Sequence, residues 1–502
     1  MSDLHIELTA PNGMKYTQPT GLFINNEWIK SSDGRKIISI NPTDESEITS
    51  VYAAGASDID LAVASARNAF NHPSWRDLSP TDRGNMIIAL SDLVAKHAAT
   101  LATIETWDNG KPYNDSLGDV AEVQGVLKYY GGYADKIHGQ VIDTGPNKLA
   151  YTIKEPVGVC GQIIPWNFPL AMASWKLGPA LACGNTVVIK AAEQTPLSIL
   201  YLAQLVKEAG FPPGVVNIVN GYGREAGAAI ATHAGIDKVA FTGSTATGKE
   251  IMKMAALNMK NITLETGGKS PLLVFEDADM EQAVKWAHIG IMSNQGQICT
   301  ATSRILVQDS VYDSFITAFK KHVQQVSVVG DPFAETTFQG PQVTKSQYDS
   351  VLGYIQAGKD EGATLISGGE VFMKGPTPSK GFFITPAIFT DVKPSMKIYR
   401  EEVFGPFVVI ATFSNEEEAL HMANDTVYGL GSAVFTKDIT RAHRVARKIE
   451  AGMVWINSSN DSDYRVPFGG VKQSGIGREL GEAGMAGYTQ TKAVHVNIGL
   501  ML

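Results

Sequence analysis

The sequence predicts an α/β protein built on a parallel, doubly wound sheet, and three observations predict it. Between residues 157 and 265, the apolar runs "VGVCGQII", "TVVIK", "VVNIV", "KVAF" and "ITLE" alternate with helix-like runs starting near Leu170, Pro196, Arg224 and Thr245. Strands covered on both faces read as continuous apolar runs, and the helices between them supply the cover. A second α/β block follows, from "SPLLVFED" at 270 to about 474. The chain's 502 residues are too many for one core, which predicts two or three domains.

Taken in order, the first ~130 residues mix short strands such as "GLFINNEWI" with helical patterns such as "DIDLAVASARNAF" and "MIIALSDLVAKHAATLATIETW". In the second block, Val311, Phe315, Phe319 and Val323 recur at four-residue spacing and make a one-sided apolar stripe. The tail "GYTQTKAVHVNIGL" reads as an exposed strand, and a long terminal strand needs a partner, often another subunit.

Bulk properties exclude several function classes. With 42 Lys+Arg against 51 Asp+Glu, the net charge of −9 disfavours nucleic acid and anionic membranes as partners. Three cysteines, Cys160, Cys183 and Cys299, form no disulfide framework, so a reducing, cytoplasmic location is expected. The first residues, "MSDLHIELTAPNG", carry no leader pattern. The most apolar region, 157–189, is interrupted by Pro165, Asn167, Pro169, Lys176 and Pro179, which argues against a membrane span. No zinc-type spacing occurs, and no metal is expected.

Two glycine motifs differ in weight. "GYGREAG", 221–227, misses G-x-G-x-x-G because position 226 is Ala, and reads as a strand-to-helix turn needing glycine φ angles. "FTGSTATGKE", 241–250, is stronger: a strand runs into Gly243-Ser244-Thr245, and backbone N–H groups at such a helix start can hold a pyrophosphate. Glu250 stands where a triphosphate loop needs a hydroxyl.

The chemistry centres on "NQGQICTATSR", 294–304. Cys299 sits among amide, glycine and hydroxyl residues rather than apolar ones, the setting of a thiol that must be reached. Upstream, Glu265 ends a strand ahead of Gly267-Gly268; it reads either as a general base for water or as a carboxylate satisfied by nearby N–H groups. Asn167, between Trp166 and Phe168 and flanked by prolines, reads as an oxyanion donor or as a turn amide bonding its own backbone. "EEVFGP", 401–406, adds an acidic pair before Phe404. Cys160 and Cys183 read as buried, inert thiols, and no histidine stands in a motif beside Cys299.

Together "PWNFP", "FTGSTATG", "ETGGKSP", "NQGQICTA", "EEVFGP" and "PFGGVKQSGIGRELG" resemble, in order and spacing, the NAD(P)-dependent aldehyde dehydrogenases, over essentially the whole chain and most closely the fungal cytosolic members. The resemblance implies a Rossmann-type NAD-binding domain (1–137 and 157–268), a catalytic domain (269–474) and a β oligomerisation ribbon (138–156 and 475–502), assembled as a dimer or tetramer. It implies Cys299 as nucleophile, Asn167 with the Cys299 N–H as oxyanion hole, Glu265 as base for thioester hydrolysis, and Lys176 and Glu479 as a proton relay. For the cofactor it implies Ile164, Pro165, Trp166, Gly223, Phe241, Gly243 and Gly248, with Lys190, Glu193 and Glu402 on the riboses, Ser244 on phosphate and Phe404 near the nicotinamide. A carboxylate at 193 favours NAD over NADP.

Departures from the usual family pattern are Thr266, Ala191 in place of a proline, and Met292-Ser293 where relatives carry tunnel aromatics. "SSNDSD", 458–463, is expected to make the tunnel mouth polar, with Asp461, Asp463 and Ser293 favouring amino-substituted aldehydes. The rival readings are a coenzyme A-acylating dehydrogenase, disfavoured by Glu265, a cysteine hydrolase, which needs a histidine, and a non-catalytic binding protein.

Overall fold

The structure, a computed structural model, describes residues 4–374, 377–378, 380–499 and 501. Its first sheet has eight strands, and five of them are the predicted apolar runs: Val159–Ile163, Thr186–Lys190, Val216–Val219, Lys238–Thr242 and Asn261–Glu265. These five are mutually parallel. Alternate residues serve opposite cores. Val187 and Ile189 pack with Leu170, Leu177 and Leu181 on one face, whereas Val188 packs with Ile59, Val63 and Ile230 on the other. That two-sided burial is why the runs carry no polar alternation.

The edges are antiparallel additions. Gly475–Ile476 pairs with Asn261–Glu265, and Leu22–Ile24 pairs with Val216–Val219 and with Glu27–Ile29. "GLFINNEWI" is thus a hairpin rather than one strand. Asn25 and Asn26 both take positive φ, 57° and 60°, as a two-residue hairpin turn requires. The long helical pattern at 86–107 is likewise two helices, Pro80–Lys96 and Ala98–Asn109, broken at His97. Among the described residues no single helix is long and apolar enough to cross a membrane.

The second sheet has seven strands in the order Thr364–Ser367, Ala387–Thr390, Phe407–Phe413, Arg304–Gln308, Pro271–Val274, Gly431–Phe435 and Met453–Ile456. All neighbours are parallel except the first pair. Phe315, Phe319 and Val323 of the helix Tyr312–Val326 are buried against it, while Val311, in a 3₁₀ turn before that helix, is only partly covered.

A three-stranded sheet stands apart from both. Thr489–Asn497 pairs residue for residue with Lys148–Pro156, and Val141–Asp143 pairs on the far side. The terminal strand therefore finds its first partner within the chain. Val141, Ile142, Leu149 and Ile153 remain exposed on this ribbon.

Candidate active site

Strand order places the site. From Val159–Ile163 the first sheet grows outward in both directions, so its topological switch lies between that strand and Lys238–Thr242. Open α/β sheets bind ligands outside the carboxyl ends of their strands at this point. A cavity of about 760 Å³ opens there and extends to the loops of the second α/β block that carry Cys299 and Phe404. It brings together Pro165, Trp166, Asn167, Gly243, Ser244, Glu265, Cys299, Glu402, Phe404 and Glu479. Ile164, Lys190, Glu193, Gly223, Phe241 and Gly248 are not in its wall, and Lys176 lies buried behind it. No histidine lines it.

Cys299 is half-buried and follows an unusual loop. Asn294, Gln295 and Gly296 take positive φ in succession, 48°, 58° and 69°. A Cβ on Gly296 would overlap the Gly405 carbonyl, so only glycine passes there. The amides that flank the cysteine are buried anchors. Asn294 Nδ2 donates to the Asn167 and Gln297 carbonyls at 3.1 and 3.2 Å, and Gln295 Nε2 to the Gly110 and Pro341 carbonyls at 3.2 and 3.1 Å. Gln297 accepts from the Val343 N–H at 3.1 Å. Polar flanks around Cys299 thus hold the loop's shape rather than expose it, which corrects the sequence reading of those residues. Gly268 completes the fit, since a Cβ there would come within 2.8 Å of the Cys299 carbonyl.

Burial and the Glu402 and Glu265 carboxylates push the Cys299 thiol up to about 12, against the pull of the Thr300 and Cys299 N–H groups. Asn167, from the loop after Val159–Ile163, donates one Nδ2 hydrogen to the Gln297 carbonyl at 2.9 Å. An amide has two such hydrogens, so a second remains for an oxyanion.

Glu265 is buried at its strand's end, and neither carboxylate oxygen has a hydrogen-bond partner of normal geometry. Burial and the Glu479 charge hold its carboxyl well above the usual range, while Lys176, Arg478 and the Gly470 N–H pull the other way. Behind it Lys176 Nζ reaches Glu479 Oε1 and Thr242 Oγ1, both at 2.6 Å. Glu479 is held by a backbone bridge to Phe468, whose N–H donates to the Glu479 carbonyl at 2.7 Å. The other oxygen of Glu479 is unpartnered.

The opposite wall has the features of a dinucleotide cradle. Glu402 accepts the Gly268 N–H at 2.9 Å and lies where a Cβ on Gly267 would be, and burial pushes it up to about 7. Trp166 and Phe404 meet edge to face at 5.3 Å, with Phe404 held at φ 58° as Gln347 Nε2 donates to its carbonyl at 2.8 Å. Ser244 caps the helix Thr245–Ala255, accepting the Thr247 N–H at 3.2 Å, and its own hydroxyl hydrogen goes to Thr247 Oγ1 at 2.9 Å. A Cβ on Gly248 would come within 2.8 Å of the Thr266 methyl, which packs that helix onto the strand-end loop. Thr266 itself donates its hydroxyl to the Gln473 carbonyl at 2.7 Å. Lys190 is buried and reaches Glu193 at 3.2 Å; burial lowers its pKa although Glu193 raises it. "GYGREAG" contains a single π turn, Gly223–Gly227, and neither Gly221 nor Gly223 has positive φ. Close approach, not φ, explains Gly221: its Cβ would come within 2.6 Å of the Ala226 methyl.

Residues 28–494 match the profile of the aldehyde dehydrogenase family. The chain belongs to that family. It is 54 % identical to an aldehyde dehydrogenase of Aspergillus niger over 99 % of each chain. With an NAD(P)+ aldehyde dehydrogenase of Saccharomyces cerevisiae it shares 50 % over the full length of both. Among solved structures, an NAD+ complex of a Bacillus cereus aldehyde dehydrogenase superposes with a TM-score of 0.93 at 48 % identity, covering 96 % of this chain and 97 % of that one. Family membership makes the protein an NAD(P)-dependent oxidoreductase acting on aldehydes.

The expected polar mouth is only partly present. Asp463 lines the cavity but is paired with Arg465 at 2.5 Å, which holds its carboxyl down at about 2. Asp461 is exposed and outside the wall, Ser293 is also outside it, and Met292 is wholly buried in the second core. Sequence reasoning missed Glu122, Trp175, Tyr464 and Phe468 in the wall. Glu122, Trp175 and Tyr464 stand in none of the Gly-rich or acidic segments, and Phe468, although it opens "PFGGVKQSGIGRELG", carries no polar group to single it out. Cys160 and Cys183 are buried and their thiols are pushed up by burial, as inert cysteines are.

Proposed function

We propose that the chain oxidises an aldehyde to the free carboxylic acid with NAD, through a thiohemiacetal and a thioester on Cys299. The observation that carries this reading is one cavity shared by a thiol, an amide donor and a buried carboxylate without a hydrogen-bond partner. Cys299, its proton passed to Glu265, forms a C–S bond to the aldehyde carbon, and the carbonyl electron pair moves onto oxygen. Asn167 Nδ2 and the Cys299 N–H hold that oxyanion. When bound, the dinucleotide would supply the oxidising chemistry: the oxyanion's electron pair re-forms the carbonyl, the aldehyde C–H bond breaks, and the hydrogen leaves with both bonding electrons to the cofactor, giving the thioester. Trp166, Lys190, Glu193, Ser244, Glu402 and Phe404 would hold the cofactor. The backbone cradle with no room for a side chain at Gly243 and Gly267 fits such a group, because a Cβ at 243 would come within 2.5 Å of the Phe241 ring. Water that gives its proton to Glu265 then attacks the thioester, the C–S bond breaks and the Cys299 thiolate leaves. Lys176 and Glu479 carry the proton away from Glu265. Hydrolysis rather than transfer to coenzyme A follows from a carboxylate at 265.

The test is acid and NADH formation from an aldehyde with coenzyme A omitted. A strict need for coenzyme A, or no reduced cofactor with any aldehyde, defeats the reading.

NAD is expected to exceed NADP in kcat/KM by about tenfold or more. The Glu193 carboxylate can accept both ribose hydroxyls and meets a 2′-phosphate with like charge. Its neighbour Lys190, 3.2 Å away, works in the opposite sense. Glu193→Gln should narrow the ratio, and a wild-type ratio near one rejects the assignment.

Self-association as a dimer or tetramer is part of the same reading. The three-stranded ribbon leaves a free strand edge and exposed Val141, Ile142, Leu149 and Ile153. Light scattering should give a multiple of 53.9 kDa at micromolar concentration; a stable monomer contradicts it. Three unpaired cysteines suit a reducing, cytoplasmic location.

A further inference from the structure

On the aldehyde dehydrogenase reading, the oxyanion's two donors come from different loops. Asn167 stands in the segment after Val159–Ile163, and the Cys299 N–H in the loop that follows the helix Met280–Met292. Their spacing depends on how the two loops are set against each other. One stretch, Asn109-Gly110-Lys111, touches both, and all three of its residues are buried.

Asn109 ends the helix Ala98–Asn109, and its Nδ2 donates to the Trp166 carbonyl at 2.7 Å. Gly110 turns the chain with φ 89°, and its carbonyl accepts Gln295 Nε2 at 3.2 Å. That turn is tightly enclosed: a Cβ on Gly110 would come within 2.8 Å of the Pro42 and Pro341 rings. Lys111 Nζ stands 4.0 Å from the centre of the Phe168 ring, and the same ammonium pairs with Asp119 of the helix Tyr113–Tyr133. Both neighbours of Asn167 are thus held by this stretch, and the Cys299 loop is held through Gln295.

An ammonium attracts the face of a ring through its quadrupole, more strongly where water is excluded. The Asp119 carboxylate fixes that ammonium in place. We propose that residues 109–111 are a positioning brace for the oxyanion hole, with Lys111 holding the Asn167 loop and Gly110 the Cys299 loop. This rests on the reading that Asn167 and the Cys299 N–H hold the oxyanion, and it names what sets their geometry. None of the three residues lines the cavity, so they act through the two loops and not on the substrate. Donors stabilise an oxyanion only when aimed at the place where its charge develops, so a shifted loop lowers the rate more than it weakens aldehyde binding.

The test is NADH formation in a single turnover, enzyme in excess over aldehyde, in Lys111→Met, Asn167→Ala and the double variant. NAD affinity is read beside it by fluorescence titration. In Lys111→Met the limiting rate should fall roughly tenfold or more, with half-saturation and NAD affinity within about twofold of wild type. In the Asn167→Ala background the same substitution should cost less than about twofold, because the donor it positions is gone. A direct effect of the Lys111 charge on the oxyanion would persist there in full and overturns the brace. If Lys111→Met does not fold, since it leaves the buried Glu105 and Asp119 carboxyls without that cation, Asn109→Ala decides. It keeps the ion pair, loses the bond to Trp166, and should show the same rate loss and the same dependence on Asn167. An unchanged limiting rate, or a loss confined to half-saturation, also overturns the proposal. If Asn167→Ala alone leaves the rate intact, the oxyanion reading fails instead.

Discussion

Cys299→Ala should abolish aldehyde oxidation while dinucleotide binding stays near the wild-type level. The substitution removes one sulfur from a half-buried position and leaves the loop's anchors in place, because Asn294, Gln295 and Gln297 bind through their own amides. A stability loss of roughly 1 kcal/mol is the ordinary cost of a point substitution, too small to unfold the domain. Activity should fall far more. Removing a nucleophile that acts in concert with its partners costs on the order of 10⁶-fold, and no second thiol can stand in. Cys160 and Cys183 are buried outside the cavity. Cofactor titration by tryptophan fluorescence, read beside NADH production, separates the two effects. Turnover near wild type in a folded variant would show that the thiol is not the nucleophile.

The parts of this molecule that were legible in its sequence share a physical cause. Five parallel strands buried on both faces cannot alternate polar and apolar residues, so "TVVIK" and "VVNIV" announce themselves. The loops at their carboxyl ends carry the glycines that a close backbone approach demands, as at Gly243, Gly267 and Gly268. What was not legible depends on contacts distant in the chain. Glu122 looks like any exposed helix carboxylate until Trp175 is folded against it, 53 residues away in sequence. The amides around Cys299 look like access for a substrate until their partners at Gly110, Pro341 and Val343 are known. Asp461 and Asp463 looked alike, yet one faces solvent and the other is paired with Arg465. The Asn25-Asn26 turn is a different case: two residues that tolerate positive φ between short apolar runs were a readable hairpin signal.

Glu265→Gln should separate the two halves of the reaction. Gln keeps the size and one acceptor of the carboxylate but cannot take a proton. The side chain's oxygens have no hydrogen-bond partner of normal geometry, so the substitution breaks no such bond. It also removes a carboxylate that raises the Cys299 thiol, so formation of the first bond should survive once pH favours the thiolate. Hydrolysis of the thioester should slow by roughly 10²–10⁴-fold, the usual worth of a general base. Rapid mixing should then show a burst of one NADH per active site followed by a slow steady state, with the acyl group trapped on Cys299 and visible as added mass. The pH profile gives a second readout. Because burial and Glu479 raise the Glu265 carboxyl, its base form is present only above that raised value. Wild-type deacylation should therefore climb with pH well beyond the ordinary carboxylate range, and in Glu265→Gln that limb should be absent. Glu479 and Lys176 sharpen the test: Glu479→Gln should lower the same limb, since it takes away the charge that holds the Glu265 carboxyl up. A steady-state rate unchanged in Glu265→Gln, with no burst and the limb intact, would transfer the role of base to another group in the cavity.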